Sequence, residues 1–169
     1  MTQATTPAKE PRVYFEIIFR PSVILTTVVR RFITDFYENV IDSEDSVSRL
    51  ALATHELLEN AVKYGMQEET TTLSVDLDQR EGIVTIRTSN RSVSPHLEAL
   101  QRRFAEMQAA PNAFRHYQQL LRDTARETNF SGLGLARIRC EGEMEMDLKV
   151  EGDLVRISAV SRTGSEFAP

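Results

Sequence analysis

The chain has 169 residues, with 20 Lys and Arg against 25 Asp and Glu for a formal net charge of −5, 41% hydrophobic residues, one Cys and no Trp. A folded chain of this length removes roughly 68–70% of its unfolded surface from water, so a single soluble domain with a self-sufficient core is expected. Cys140 has no partner for an internal disulfide, and His55, His96 and His116 never approach it or one another at metal-ligand spacing. No stretch reaches the roughly 18 apolar residues of a membrane span, and the polar first residues lack an apolar leader. These features argue against structural zinc and membrane insertion, and the expected location is cytoplasmic. Acidic balance also argues against broad attraction to nucleic acid, although six Arg face three acidic residues between Arg91 and Arg126.

Residues 1–12 read as a flexible tail with nothing apolar to bury. Val13, Phe15, Ile17 and Phe19 then alternate with polar residues as a strand with one buried face. From Ser22, a plausible N-cap, Leu25, Val28, Val29, Phe32, Phe36 and Val40 recur at helical spacing. A second helix opens at Asp42 or Ser43, carries Val47, Leu50, Leu57, Leu58 and Ala61 on one face, and stops at Gly65 in a left-handed C′ position. Leu73, Val75 and Leu77, a turn over 79–82, and Val84, Ile86 and Thr88 make an antiparallel hairpin. Two helical stretches follow in an insertion over 95–128, the second capped by Asn112. Ser131-Gly-Leu-Gly-Leu135 leads into a short helix through Ile138, and two last strands flank a turn at Glu151-Gly-Asp153. The order is β-α-α-β-β, helical insertion, α-β-β. It implies an α+β fold: a two-layer α/β sandwich whose mixed, mainly antiparallel sheet is covered by helices on one face over residues 13–162, with a tail from 163.

The second helix holds the most informative segment, His55-Glu-Leu-Leu-Glu-Asn-Ala-Val-Lys-Tyr-Gly65. At helical spacing Glu56, Asn60 and Lys63 share a stripe about 60° wide. A carboxylate can orient or deprotonate a nucleophile, an amide oxygen can ligate Mg²⁺, and an ammonium can neutralise phosphate. A solvated helix face would also place polar groups there, and Glu59 with Lys63 is an ordinary i,i+4 pair. Asn60 fits that reading less well, because mid-helix Asn has weak helix propensity. Gly132-Leu-Gly134 before a short helix suits close backbone approach to phosphate oxygens, or a plain turn.

Taken together, E-x-x-x-N-A-x-K-Y-G on the second helix, the hairpin, the lid-like insertion and G-L-G-L resemble the GHKL, or Bergerat-fold, histidine-kinase-like ATPase domain. Within it the chain is most similar to the small anti-sigma-factor serine/threonine kinases. The resemblance covers about Val13 to Ser161. It implies that Glu56 is the catalytic carboxylate, that Asn60 holds Mg²⁺, that Lys63 and Tyr64 lie at the nucleotide, and that Gly132 and Gly134 approach the triphosphate. ATP and Mg²⁺ are the implied cofactors. The implied partner is a small antagonist protein, phosphorylated on Ser or Thr in a bacterial partner-switching pathway, or a sigma factor, with a homodimer also possible.

The chain departs from the family pattern after its third strand. The family's D-x-G-x-G corresponds here to Thr88-Ser-Asn-Arg-Ser-Val-Ser-Pro95. Asn90 stands where an Asp would accept from adenine, and both glycines are missing. Asn90 can still accept a hydrogen bond, without the charge that strengthens it. The insertion carries apolar stripes of its own, which pack on this domain or on a partner. Two other activities therefore remain open: a pseudo-ATPase interaction module, and a detached histidine-kinase catalytic domain. His55-Glu-Leu is not read as a phosphoacceptor, because it overlaps the helix that carries Asn60. His55 is expected to be a partly buried helix residue and Cys140 a small core residue.

Overall fold

A computed structural model describes residues 12–124 and 132–163. The expected tail before Arg12, the end of the insertion with Arg126, Ser131, and the residues beyond Thr163 lie outside this range. In chain order the elements are β1 (Arg12–Phe19), α1 (Val23–Val40), α2 (Glu44–Tyr64), β2 (Thr71–Asp78), β3 (Ile83–Arg91), α3 (Ser94–Ala109), α4 (Ala113–Thr124), α5 (Leu133–Cys140), β4 (Glu145–Glu151) and β5 (Leu154–Arg162). No helix among the described residues is long and apolar enough to cross a membrane.

Local chemistry explains most boundaries. Ser22 and Ser43 cap α1 and α2, their hydroxyls accepting the N–H of Leu25 and of Ser46, each at 3.2 Å. Glu44 and Asp45 in the first turn of α2 and Lys63 in its last complement the helix dipole. Asp78 accepts from the N–H groups of Arg80 and Glu81, both at 3.1 Å, and Gly82 turns the chain at φ 64° into β3. Asn112 accepts from Arg115 N–H at 2.8 Å and opens α4.

The sheet runs β1-β2-β3-β5-β4. The fold is α+β as expected, but every pairing is antiparallel rather than mixed. The reason is that the closing β4–β5 hairpin places β5 against β3, which keeps β4 away from the strand it would parallel. Side chains alternate between the two faces. Leu73, Val75, Leu77, Val84, Ile86, Val155, Ile157 and Ala159 point into the core. Glu16, Ser74, Arg87, Ser158 and Asp147 form a polar row across all five strands on the other face.

The core lies under α2. Leu50, Ala53, Leu57 and Leu58 are sealed from solvent, and α2 packs on β2, β3 and β5 between α1 and α5. Inside, the Tyr37 hydroxyl and Thr54 Oγ1 are 2.9 Å apart, and Thr54 donates to Leu50 O at 2.7 Å. Burial pushes the Tyr37 phenol well above its ordinary pKa and keeps it neutral.

Several expectations need correction. The buried stripe of α1 is Val29, Ile33 and Tyr37, whereas Leu25, Val28 and Phe32 are exposed. Among the described residues no element covers the outer side of α1, although Phe32 and Phe36 still pack edge-on to Phe15 of β1. Gly65 is extended, at φ −70° and ψ 154°, not left-handed. It is small because a Cβ there would lie 2.6 Å from Ala61 O. Arg12 and Thr163, both expected in tails, instead belong to the sheet region: Arg12 opens β1 and pairs with Asp76 at 2.6 Å, and Thr163 N–H donates to Gly82 O at 2.7 Å. Cys140 is only partly buried.

Replacing Leu57 with Ala is expected to cost roughly 2–5 kcal/mol, and Tyr37→Phe about 1 kcal/mol, both read from denaturant midpoints. His55 is partly buried, as expected, with Nε2 3.3 Å from Arg30 O. Burial lowers the pKa of His55 and of His116 below the ordinary 6.5. A histidine whose folded pKa is depressed contributes its full stability above the unfolded value and loses it as pH falls below that value. The melting temperature should therefore be flat above about pH 7 and start to fall below about pH 6.5. His55→Gln should flatten that slope. The depressed carboxylates Asp76, held by Arg12, and Glu141, held by Arg137, act only in a lower window, near and below about pH 4.

Candidate functional site

The last three turns of α2 carry His55 to Tyr64, and the N-terminus of α5 comes down onto them. Gly132, the N-cap of α5, has φ 68°, and a Cβ on it would lie 3.3 Å from Arg103 Cβ. Only glycine takes that conformation readily. At Gly134 a Cβ would lie 2.6 Å from Glu56 Oε2 and 3.4 Å from Asn60 Nδ2. Gly134 is thus the residue whose missing side chain lets α5 seat against Glu56 and Asn60.

The result is a cavity of about 150 Å³ lined by Glu56, Glu59, Asn60, Lys63, Tyr64, Gly132, Gly134 and two leucines of α5. Six of the seven residues singled out in the sequence therefore line this one cavity. The positive end of the α5 dipole opens on the same space. Glu59 is neutralised by Arg30 at 2.7 Å. Lys63 is exposed, makes no ion pair among the described residues, and holds its ammonium 5.2 Å from the centroid of the Tyr64 ring.

Asn90, the seventh, sits across the Asn60 and Tyr64 side chains in a separate compartment of about 20 Å³ with Ser92, His96 and Leu100. Its Nδ2 donates to Arg91 O at 3.3 Å, which leaves the amide oxygen as acceptor. Ser92 joins this end of β3 to α2 by donating its hydroxyl to Tyr64 O at 2.6 Å, and Met66 N–H donates to Arg91 O at 2.8 Å. Tyr64 then meets His96 of α3 edge to face, with centroids 5.4 Å apart. Because α3 begins only three residues after β3, His96 and Leu100 are laid directly over Asn90. The compartment has room for about one water, whereas sites for small organic ligands are roughly 300–1,000 Å³.

Arg137 is the functional neighbour that the sequence reading missed. Its Nη1 donates to Glu56 Oε1 at 3.0 Å and its Nε to Glu141 Oε2 at 2.8 Å. The available signal was position: on α5, Gly134, Arg137 and Glu141 recur at helical spacing on one face. The partner on α2 is 81 residues away, and no local pattern supplies it.

Among the described residues no group of three His, Cys, Asp or Glu is placed to hold a metal ion. A Mg²⁺ at Asn60 would take most of its remaining ligands from phosphate and water, which is how this ion is commonly held. Larger concavities lie elsewhere. One of about 600 Å³ runs between the start of α1 and the end of α2, lined by Val23, Thr26, Arg30, Glu59 and Met66, and one of about 330 Å³ lies on the polar sheet face. Glu59 lines both the first of these and the small cavity. Comparison with the models of known protein families and with curated protein sequences finds no match.

Gly134→Ala tests the seating of α5. The Cβ collides with the far end of the Glu56 side chain, so the fold should survive while the carboxylate is pushed away. The expected result is a melting temperature close to wild type with a changed Glu56 carboxylate signal in carbon-detected NMR.

Proposed function

We propose that the chain is an ATP-binding regulatory protein of the anti-sigma-factor kinase type, which transfers a phosphoryl group to a Ser or Thr of a small antagonist protein. The observation that carries this reading is the single cavity in which Glu56, Asn60 and Lys63 of α2 meet Gly132 and Gly134 of α5. A carboxylate, an amide oxygen, an exposed ammonium and a glycine-lined helix N-terminus form a donor set suited to a metal-bound polyphosphate. The glycine cradle supports the same reading, since a side chain at Gly134 would fill it.

In this reading Glu56 takes the proton of the attacking hydroxyl, Asn60 lends its oxygen to Mg²⁺, and Lys63 offsets phosphate charge. Bound ATP supplies the phosphoryl group. Tyr64 and Asn90 serve the base, with Asn90 Oδ1 in place of a carboxylate, and the ring is admitted only when α3 shifts His96 and Leu100. The cleft between α1 and α2 meets the cavity at Glu59 and is lined by exposed Val23 and Met66. That surface suits a protein partner: the antagonist, a sigma factor or a second copy of the chain.

A second reading, a pseudo-ATPase that docks partners without nucleotide, is favoured by one observation: the small volume of the compartment around Asn90, about 20 Å³.

Calorimetric titration with ATP, with and without Mg²⁺, separates the two. The first reading expects saturable, Mg²⁺-dependent binding that Asn60→Ala removes. It also expects Glu56→Gln to keep binding while transfer to a Ser or Thr falls about 10²-fold or more. Absence of binding at millimolar ATP would leave the pseudo-ATPase, and an acid-labile phosphate on the acceptor would point instead to histidine-kinase chemistry.

A further inference from the structure

We infer that Arg137 is a positioning residue that restrains Glu56, so that the carboxylate is free to take a proton only when α5 withdraws the guanidinium. Its chemistry rests on the nucleotide reading above; its geometry stands on α5. Arg137 Nη1 holds Glu56 Oε1 at 3.0 Å. Oε2 lies so close to Gly134 that a Cβ there would be 2.6 Å away. Three residues apart on one helix face, Gly134 and Arg137 therefore cover both oxygens of the same carboxylate. A general base needs an oxygen within hydrogen-bond reach of the proton it removes, and here an incoming hydroxyl must compete with a cation for Oε1.

The restraint is releasable, because Arg137 does not depend on Glu56 for a partner. Its Nε is held by Glu141 at 2.8 Å, four residues on. The Arg137 side chain is 41% exposed and the Glu56 side chain 22% exposed, so breaking their contact leaves a carboxylate that still reaches solvent rather than a fully buried unpaired charge. Glu141 lies beside Tyr117 of α4, whose phenol pKa is raised by burial first and then by this carboxylate. Since α4 packs along α5, displacement of the insertion by a docked partner would carry Glu141 and Arg137 with it. Arg137 does not line the cavity, and it acts through Glu56 alone.

The test compares wild type with Arg137→Gln by two readouts. The first needs no nucleotide: carbodiimide-driven amine labelling of Glu56, followed by peptide mass spectrometry, with exposed Glu98 as the internal reference. Labelling of Glu56 should rise about two- to fivefold, the range a partly exposed ion pair commands. The second is phosphoryl transfer, where kcat should rise by a similar factor while KM for ATP stays constant. Arg137→Lys keeps the charge on a single compact head and should fall between the two forms in both readouts. It also carries the test if the Gln variant melts early. Unchanged labelling overturns the restraint whatever the nucleotide does. Faster labelling with slower transfer also overturns it, because Arg137 would then align the base rather than hold it back. Faster labelling with no ATP binding in any form refutes the nucleotide reading itself, and the restraint loses its role with it.

Discussion

The contact of Gly134 with Glu56 and Asn60 is the constraint from which the rest of the site follows. A methyl group at that point would overlap Glu56 Oε2, so the close approach of α5 to α2 leaves the Glu56 carboxylate where it is only because residue 134 has no side chain. That approach closes the small cavity, aims the α5 N-terminus into it, and sets Arg137 one turn further along at hydrogen-bonding distance from Glu56. The sheet and α1 support the same geometry from below. With Leu50, Leu57 and Leu58 locked in the core, the opposite side of α2 has a fixed orientation toward α5.

The two ends of the site differ in a way that packing explains. At the α5 end, glycines and a helix N-terminus leave space beside the Lys63 ammonium, which makes no ion pair among the described residues. At the Asn90 end, β3 passes into α3 with only Ser92 and Val93 between them, and the helix lays His96 and Leu100 over the space. A glycine-rich loop would keep a helix at a distance. The Ser92 hydroxyl instead ties this segment to the last carbonyl of α2, that of Tyr64. One stretch of the chain thus accounts both for the absence of a D-x-G-x-G sequence and for the narrow compartment.

Much of the architecture was legible in the sequence because it rests on local rules. Period-two alternation marked the strands, serine caps marked the starts of α1 and α2, and Gly82 and Gly152 marked turns that need positive φ. The reading failed where a choice depended on what comes to lie opposite. On α1, Leu25, Val28 and Phe32 are as apolar as Val29, Ile33 and Tyr37, and only the placement of the sheet selects the second set for burial. Gly65 read as a left-handed stop, whereas its requirement is space beside Ala61 O. The mixed sheet failed for the same reason, since strand order is decided by which hairpin closes against β3.

The sequence alone determined that α2 presents Glu56, Asn60 and Lys63 on one stripe and that two glycines precede a short helix, because helical spacing and backbone freedom are properties of the local chain. Only the tertiary structure decided that these two features face one another, that Arg137 holds Glu56 from 81 residues away, and that Asn90 is shut behind α3. Those outcomes depend on long-range packing, in which side chains remote along the chain compete for the same few ångströms.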